Sequence, residues 1–88
     1  MFKLAFSGQF KKDVKTLLRR NYDMELLKHI LIQLENTGSL DSSFKPHHLS
    51  GKYSGYWEAH IKSDWLIIWK SVGNEVQLVR TGTHSDLF

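Results

Sequence analysis

Cysteine is absent from the 88 residues, and proline occurs once, at Pro46. Without thiols the chain can build neither a disulfide framework nor a thiolate metal site, and thiolate nucleophilic catalysis is excluded. That absence fits a reducing cytosol. No apolar run approaches the roughly 20 residues needed to cross a bilayer. The opening Met1-Phe2-Lys3-Leu4-Ala5-Phe6 is apolar but too short for a signal peptide. Internal repeats, low-complexity tracts and linkers are also missing. The expectation is one soluble, cytoplasmic domain over residues 1–88 with no membrane association. Negative charge is in short supply too: nine acidic residues stand against 12 basic ones, for a net charge of +3. That balance favours a nucleic acid or an acidic protein as partner, though only mildly. Hydrophobic residues make up 41% of the chain, enough for a real core and too many for disorder.

The apolar pattern changes period midway. Residues 2–6 read as a first strand. Ser7 is placed to cap a helix in which Phe10, Val14, Leu17 and Leu18 form an apolar stripe. Lys11, Lys12, Lys15 and Arg19 fall on the opposite arc, and Arg20 extends it. Asn21-Tyr22-Asp23 interrupts the pattern, with Asp23 capping a second helix whose buried face is Leu26, Leu27, Ile30, Leu31 and Leu34. Gly38 suits the left-handed position after its end. A loop over 39–46 follows, and then the period becomes two. His48–Lys52 reads as a short strand. In 56–61, Trp57, Ala59 and Ile61 share one face, and Glu58 and His60 the other. Asp64–Trp69 is apolar on both faces and reads as a central strand, and 75–80 as another after a Gly73-Asn74 turn. The predicted fold is α+β: two antiparallel helices on one face of a twisted, mainly antiparallel sheet of four to five strands, in the order β-α-α-β-β-β.

This order gathers polar groups. His60 and Asp64 flank the Lys62-Ser63 turn and so lie within roughly 10 Å of one another. A hairpin with equal arms about Gly73-Asn74 brings Arg80 near 62–65, with Thr81-Gly82-Thr83-His84 just beyond. His47 joins them if its segment ends at the same edge. Each has a bland reading alone: a solvent-facing strand residue, a turn-capping carboxylate, a loose tail, a loop pair. Imidazoles titrate near neutrality and can take and return a proton in one cycle. Three of them with one carboxylate on a basic protein point to acid–base cleavage of a phosphodiester. A zinc site is the competing use, but no helical ligand pair or His-Glu-x-x-His run is present. No metal or other cofactor is expected. His29 lies on the exposed side of the second helix and receives no role. The all-positive helix arc suggests phosphate contact. Trp57, Trp65 and Trp69 all read mostly as core, and Trp65, beside Asp64 at the polar end, is the one best placed to stack on a base.

Several runs together carry a likeness. His47-His48-Leu49-Ser50-Gly51, Glu58-Ala59-His60-Ile61, Asp64-Trp65 and the closing Arg80-Thr81-Gly82-Thr83-His84-Ser85-Asp86-Leu87-Phe88 closely resemble the YafQ branch of the RelE/ParE-type bacterial toxins. So does the opening Phe6–Lys15 stretch, and the closing run is the most specific part. The resemblance implies a toxin of a type II toxin–antitoxin system. It also implies a messenger-RNA endonuclease that acts in the ribosomal A site and is silenced by a co-encoded antitoxin. His47, His60, Asp64 and His84 match the catalytic set, with His47 rather than His48 fitting the His-x-Leu-x-Gly spacing. Trp65, Arg80 and Phe88 match positions that hold or orient RNA, and the Lys11/Lys12/Lys15/Arg19 arc would meet ribosomal RNA. The expected chemistry is attack by the substrate's own 2′-hydroxyl. His84 would be the acid, Asp64 or His47 the base, His60 an orienting group, and Arg80 would neutralise charge on the phosphorane. A gyrase-targeting toxin of the same fold and a non-catalytic RNA- or protein-binding module are the alternatives.

Overall fold

A computed structural model of the protein describes residues 1–88. Strand β1 (Lys3–Phe6) runs into helix α1 (Gly8–Arg19), and α2 (Met24–Thr37) follows after a short corner. Then come β2 (His47–His48), β3 (Trp57–Lys62), β4 (Trp65–Val72), β5 (Glu75–Gly82) and a last helix, α3 (His84–Leu87). The five strands form one sheet in the order β1-β5-β4-β3-β2. Only the β1–β5 pair is parallel; β5–β4, β4–β3 and β3–β2 are antiparallel. This is the α+β architecture read from the sequence.

Local chemistry sets the element ends. The Ser7 hydroxyl accepts the Phe10 N–H and caps α1, and Asp23 accepts the Glu25 N–H at the start of α2. Gly38 ends α2 at φ 74°, with the Phe2 ring so close that a Cβ at Gly38 would meet it at 2.6 Å. Helix α1 lies against β5, and α2 against β1 and β3, so both helices cover the same sheet face. The core between them holds Phe10, Leu17, Leu27, Ile30 and Leu34 from the helices and Ala59, Ile67, Trp69, Val76 and Leu78 from the strands. A smaller cluster of Leu66, Ile68 and Leu87 sits on the opposite face, which α1 and α2 leave uncovered and α3 touches through Leu87.

Four sequence expectations need correction. Leu18 is 52% exposed, and the α1 stripe instead includes Asp13, an acidic side chain buried to 8%. The short strand expected over 48–52 is only His47–His48, because Gly51–Tyr53 coils into a 3₁₀ turn. Arg80 does not return to 62–65: equal arms about Gly73-Asn74 set it opposite Ile67, and a bulge at Ile68/Trp69, which leaves Val79 unmatched, moves it one residue further, to Ile68. The Thr-Gly-Thr-His stretch is not a loose tail. It starts a capped helical turn, in which Thr83 and Asp86 exchange side-chain and backbone hydrogen bonds.

Candidate active site

Three imidazoles stand in a row. The His47 and His60 ring centroids are 6.4 Å apart, and those of His60 and His84 are 6.1 Å apart. Sheet register produces the row: His47 faces Glu58 across β2–β3, and His60 pairs with Leu66, which in turn pairs with Gly82 just before α3. Residues paired across antiparallel strands share a face, so His47, Glu58 and His60 look out from the side that α1 and α2 leave uncovered. His48 turns away from the row and stacks on Trp57, with centroids 3.8 Å apart.

Each end of the row has a carboxylate. Asp64 Oδ1 accepts the His84 backbone N–H at 2.9 Å and its Nδ1–H at 2.6 Å. These two bonds, the backbone one first, hold the Asp64 carboxyl below its usual range. With Nδ1 donating inward, the Nε2 of His84 is left to face solvent. At the other end, His47 Nδ1–H donates to the Lys45 carbonyl at 3.0 Å, and Nε2 lies 3.2 Å from Glu58 Oε1. A carbonyl only accepts, which fixes a proton on Nδ1. His60, between them, makes no side-chain hydrogen bond. No set of three or more His, Cys, Asp or Glu is placed to hold a metal ion.

Helix α3 carries His84 and is held by more than its own turn. Arg20, just past α1, forms a two-pronged ion pair with Asp86, Nη1–Oδ2 at 2.8 Å and Nη2–Oδ1 at 3.2 Å. Asp86 Oδ2 also accepts the Thr83 N–H at 2.9 Å. The Arg20 guanidinium first, and the Thr83 amide after it, bring the Asp86 carboxyl down to about 2. Gly82 is required beside this junction, since a Cβ there would lie 2.9 Å from Asp86 Oδ2.

Two residues expected to meet RNA stand otherwise. Trp65 is 1% exposed, and its indole N–H donates to the Thr81 hydroxyl, so no ring face is free for a base. Its β4 position points to the helix-covered core, as its apolar strand suggests, and the stacking role offered by its nearness to Asp64 is lost. Arg80 donates to both oxygens of the buried Asp13, which raises its already high pKa, and touches the Asp86 carbonyl at 3.5 Å. It borders α3 as a fixed charge. Phe88 is 64% exposed and edge-on to Tyr53 at 5.9 Å. Lys11, Lys12, Lys15 and Arg19 are all exposed on α1. Glu58, Asp13, Arg20 and Tyr53 were not singled out from the sequence. Glu58 had a usable signal, an acid sharing the His60 face in an alternating strand. The other three depend on contacts more than 30 residues apart in the chain.

Residues 2–88 match the family described as the bacterial toxin of type II toxin–antitoxin system, YafQ. The mRNA interferase toxin YafQ of Escherichia coli K12 is 40% identical over 86 residues, covering 97% of this chain and 94% of that protein. The crystal structure of the E. coli DinJ–YafQ complex contains a chain with TM-score 0.88 and 38% identity, covering 100% of this chain and 99% of that one. A metal-bound toxin from Helicobacter pylori superposes with TM-score 0.89 at 33% identity over the whole of both chains. The chain therefore belongs to the YafQ family of toxins of bacterial type II toxin–antitoxin systems.

Proposed function

We propose that this toxin is an endoribonuclease that cuts messenger RNA held in the ribosomal A site, in the cytoplasm. The observation that carries the reading is the spacing of the histidine row. An attacking and a departing oxygen on one phosphorus each take a hydrogen bond of about 2.8 Å, so their acid and base must stand on the order of 6–8 Å apart. His60 and His84, with centroids 6.1 Å apart, meet that requirement.

The engaged and free nitrogens divide the roles. Asp64 is committed to His84, and its lowered pKa makes it a weak base. Both ring nitrogens of His47 are occupied, by Lys45 and Glu58. His60 is the imidazole left to accept the 2′-hydroxyl proton. The O2′–P bond then forms as the P–O5′ bond breaks, and His84 Nε2 delivers a proton to O5′. The products are a 2′,3′-cyclic phosphate and a 5′-hydroxyl. His47 and Arg80 oppose the charge gained by the phosphorane. This assignment takes His60, rather than Asp64 or His47, as the base. The nucleophile belongs to the substrate and is already adjacent, so proximity supplies a large share of the rate.

With Trp65 buried, Phe88 and Tyr53 offer the aromatic surface for a base. The exposed α1 arc supplies contacts to ribosomal RNA phosphates. The E. coli relative is found in complex with DinJ, and a cognate antitoxin is the corresponding partner here. The test is a translation extract programmed with a defined message. Cleavage at fixed codon positions is expected, with cyclic phosphate at the new 3′ ends. Gyrase inhibition without such cuts, or RNA binding without cleavage at any pH, would overturn the assignment.

A further inference from the structure

A cavity of about 430 Å³ opens beside the acid end of the row, away from the histidines themselves. Its walls are the α1–α2 corner, with Asn21, Tyr22 and Asp23, and the β3–β4 turn, with Lys62, Ser63 and Asp64. We infer that this cavity is a subsite for the nucleobase on the 3′ side of the cut bond, and that it sets the base preference there. The inference rests on the nuclease reading above, because direction along the RNA follows from the acid. His84 protonates the departing 5′ oxygen, which belongs to the 3′ nucleotide. That nucleotide must therefore leave the row past Asp64, and Asp64 is the side chain shared by the acid pair and the cavity wall.

The chemistry of the walls favours a base over a phosphate. Arg20 and Lys62 are balanced by Asp23 and Asp64, so the cavity carries no net charge. Arg20 is moreover committed to Asp86. Asn21, Lys62 and Ser63 make no side-chain hydrogen bond within the protein, leaving an amide, an ammonium and a hydroxyl free to face a ligand. Asp23 uses Oδ1 to cap α2 and keeps Oδ2. Tyr22 is half-buried and edge-on to Trp65, centroids 5.1 Å apart at 87°, which fixes its ring as a wall. A carboxylate beside an amide and a hydroxyl suits a base edge with adjacent N–H donors, guanine foremost because N1–H and the 2-amino group lie side by side. The volume lies within the range of ordinary small-molecule sites.

The test uses the full-length toxin in a translation extract, on messages that differ only in the base 3′ to the cut. Wild type is expected to cut before guanine about tenfold faster than before uracil, the worth of one good base-edge contact. Asn21→Gly removes the amide while tolerating the left-handed backbone at φ 61°. Asn21→Gly and Lys62→Ala should each compress the ranking to about twofold or less, while still cutting. On the folded protein alone, guanosine 5′-monophosphate should shift the Asn21 and Lys62 amide resonances more than uridine 5′-monophosphate does. Equal cutting before all four bases, or a ranking unchanged in both variants, overturns the subsite and leaves the nuclease standing. No cutting by wild type at all overturns both.

Discussion

The two histidine–carboxylate pairs at the ends of the row are built in opposite ways. In the His84–Asp64 pair both partners face water, at 55% and 63% exposure. In the His47–Glu58 pair the carboxylate is sunk to 8% while the ring stays 48% exposed. An exposed ion pair contributes little by Coulomb attraction alone, and salt screens it. Asp64 holds its place because a backbone N–H joins the ring N–H on the same oxygen. A buried carboxylate has a different dependence: it needs its partner, because desolvation is costly once the partner is gone. The exposed pair is open to proton exchange with solvent, while the pair with the buried carboxylate holds a ring still.

Truncating the acid makes the sharpest contrast. His84→Ala should lower cleavage about 10²–10⁴-fold with little change in stability, read by single-turnover cleavage and thermal unfolding. Wild-type cutting by a folded His84→Ala protein would remove His84 from the chemistry. The next effect falls on the other pair and appears in stability. His47→Ala strands the Glu58 carboxylate and should cost about 1–3 kcal/mol, or roughly 4–8 °C in Tm for each kcal/mol. Asp64→Ala, at an exposed site, should leave Tm nearly unchanged. Equal Tm values for these two variants would erase the distinction drawn between buried and exposed carboxylates.

A smaller effect tests how the acid is held. Arg20→Ala frees Asp86 and should slow cleavage by about two- to fivefold, as expected for an exposed pair, and speed amide exchange at His84. Unchanged exchange at that amide would show that the capping box suffices by itself. The least change comes with acid. Asp64 and Asp86 are both more acidic when folded, Asp86 at about 2, so their stabilisation is complete above the ordinary carboxylate range and fades as pH falls through the folded values. Helix α3 should stay docked from neutrality to about pH 4 and loosen toward pH 2, followed by its amide resonances. In Arg20→Ala the loosening should begin at higher pH. An identical acid limb in both proteins would place the coupling elsewhere.

Period and caps were legible because they depend on near neighbours. The Ser7 and Asp23 caps, the Gly38 stop, the α2 stripe and the three long strands all appear where the pattern put them. Misreadings arose where one distant contact outweighs local preference. Leu18 fits an apolar stripe by spacing, yet Asp13 occupies the buried side because Arg80 and the Thr81 N–H meet it there. Trp65 reads mostly as core, and the first residue of β4 does point into the helix-covered face, which removes the stacking role that its place beside Asp64 suggested. The five-residue run at 48–52 had no partner strand beyond its first residue.

By itself the sequence determined the residue kinds, their order and the alternation that turns Glu58 and His60 to one side, since these follow from chain periodicity. It determined family membership as well, through runs that extend from one end to the other. The tertiary structure alone decided that three imidazoles stand about 6 Å apart, which carboxylate serves which ring, and that Arg20 reaches Asp86 across 66 positions. Those depend on strand register, on two register shifts, at His60/Lys62 and at Ile68/Trp69, and on the docking of a four-residue helix. A shift of a single residue in any strand would turn its side chains to the other face, and no local preference contains that information.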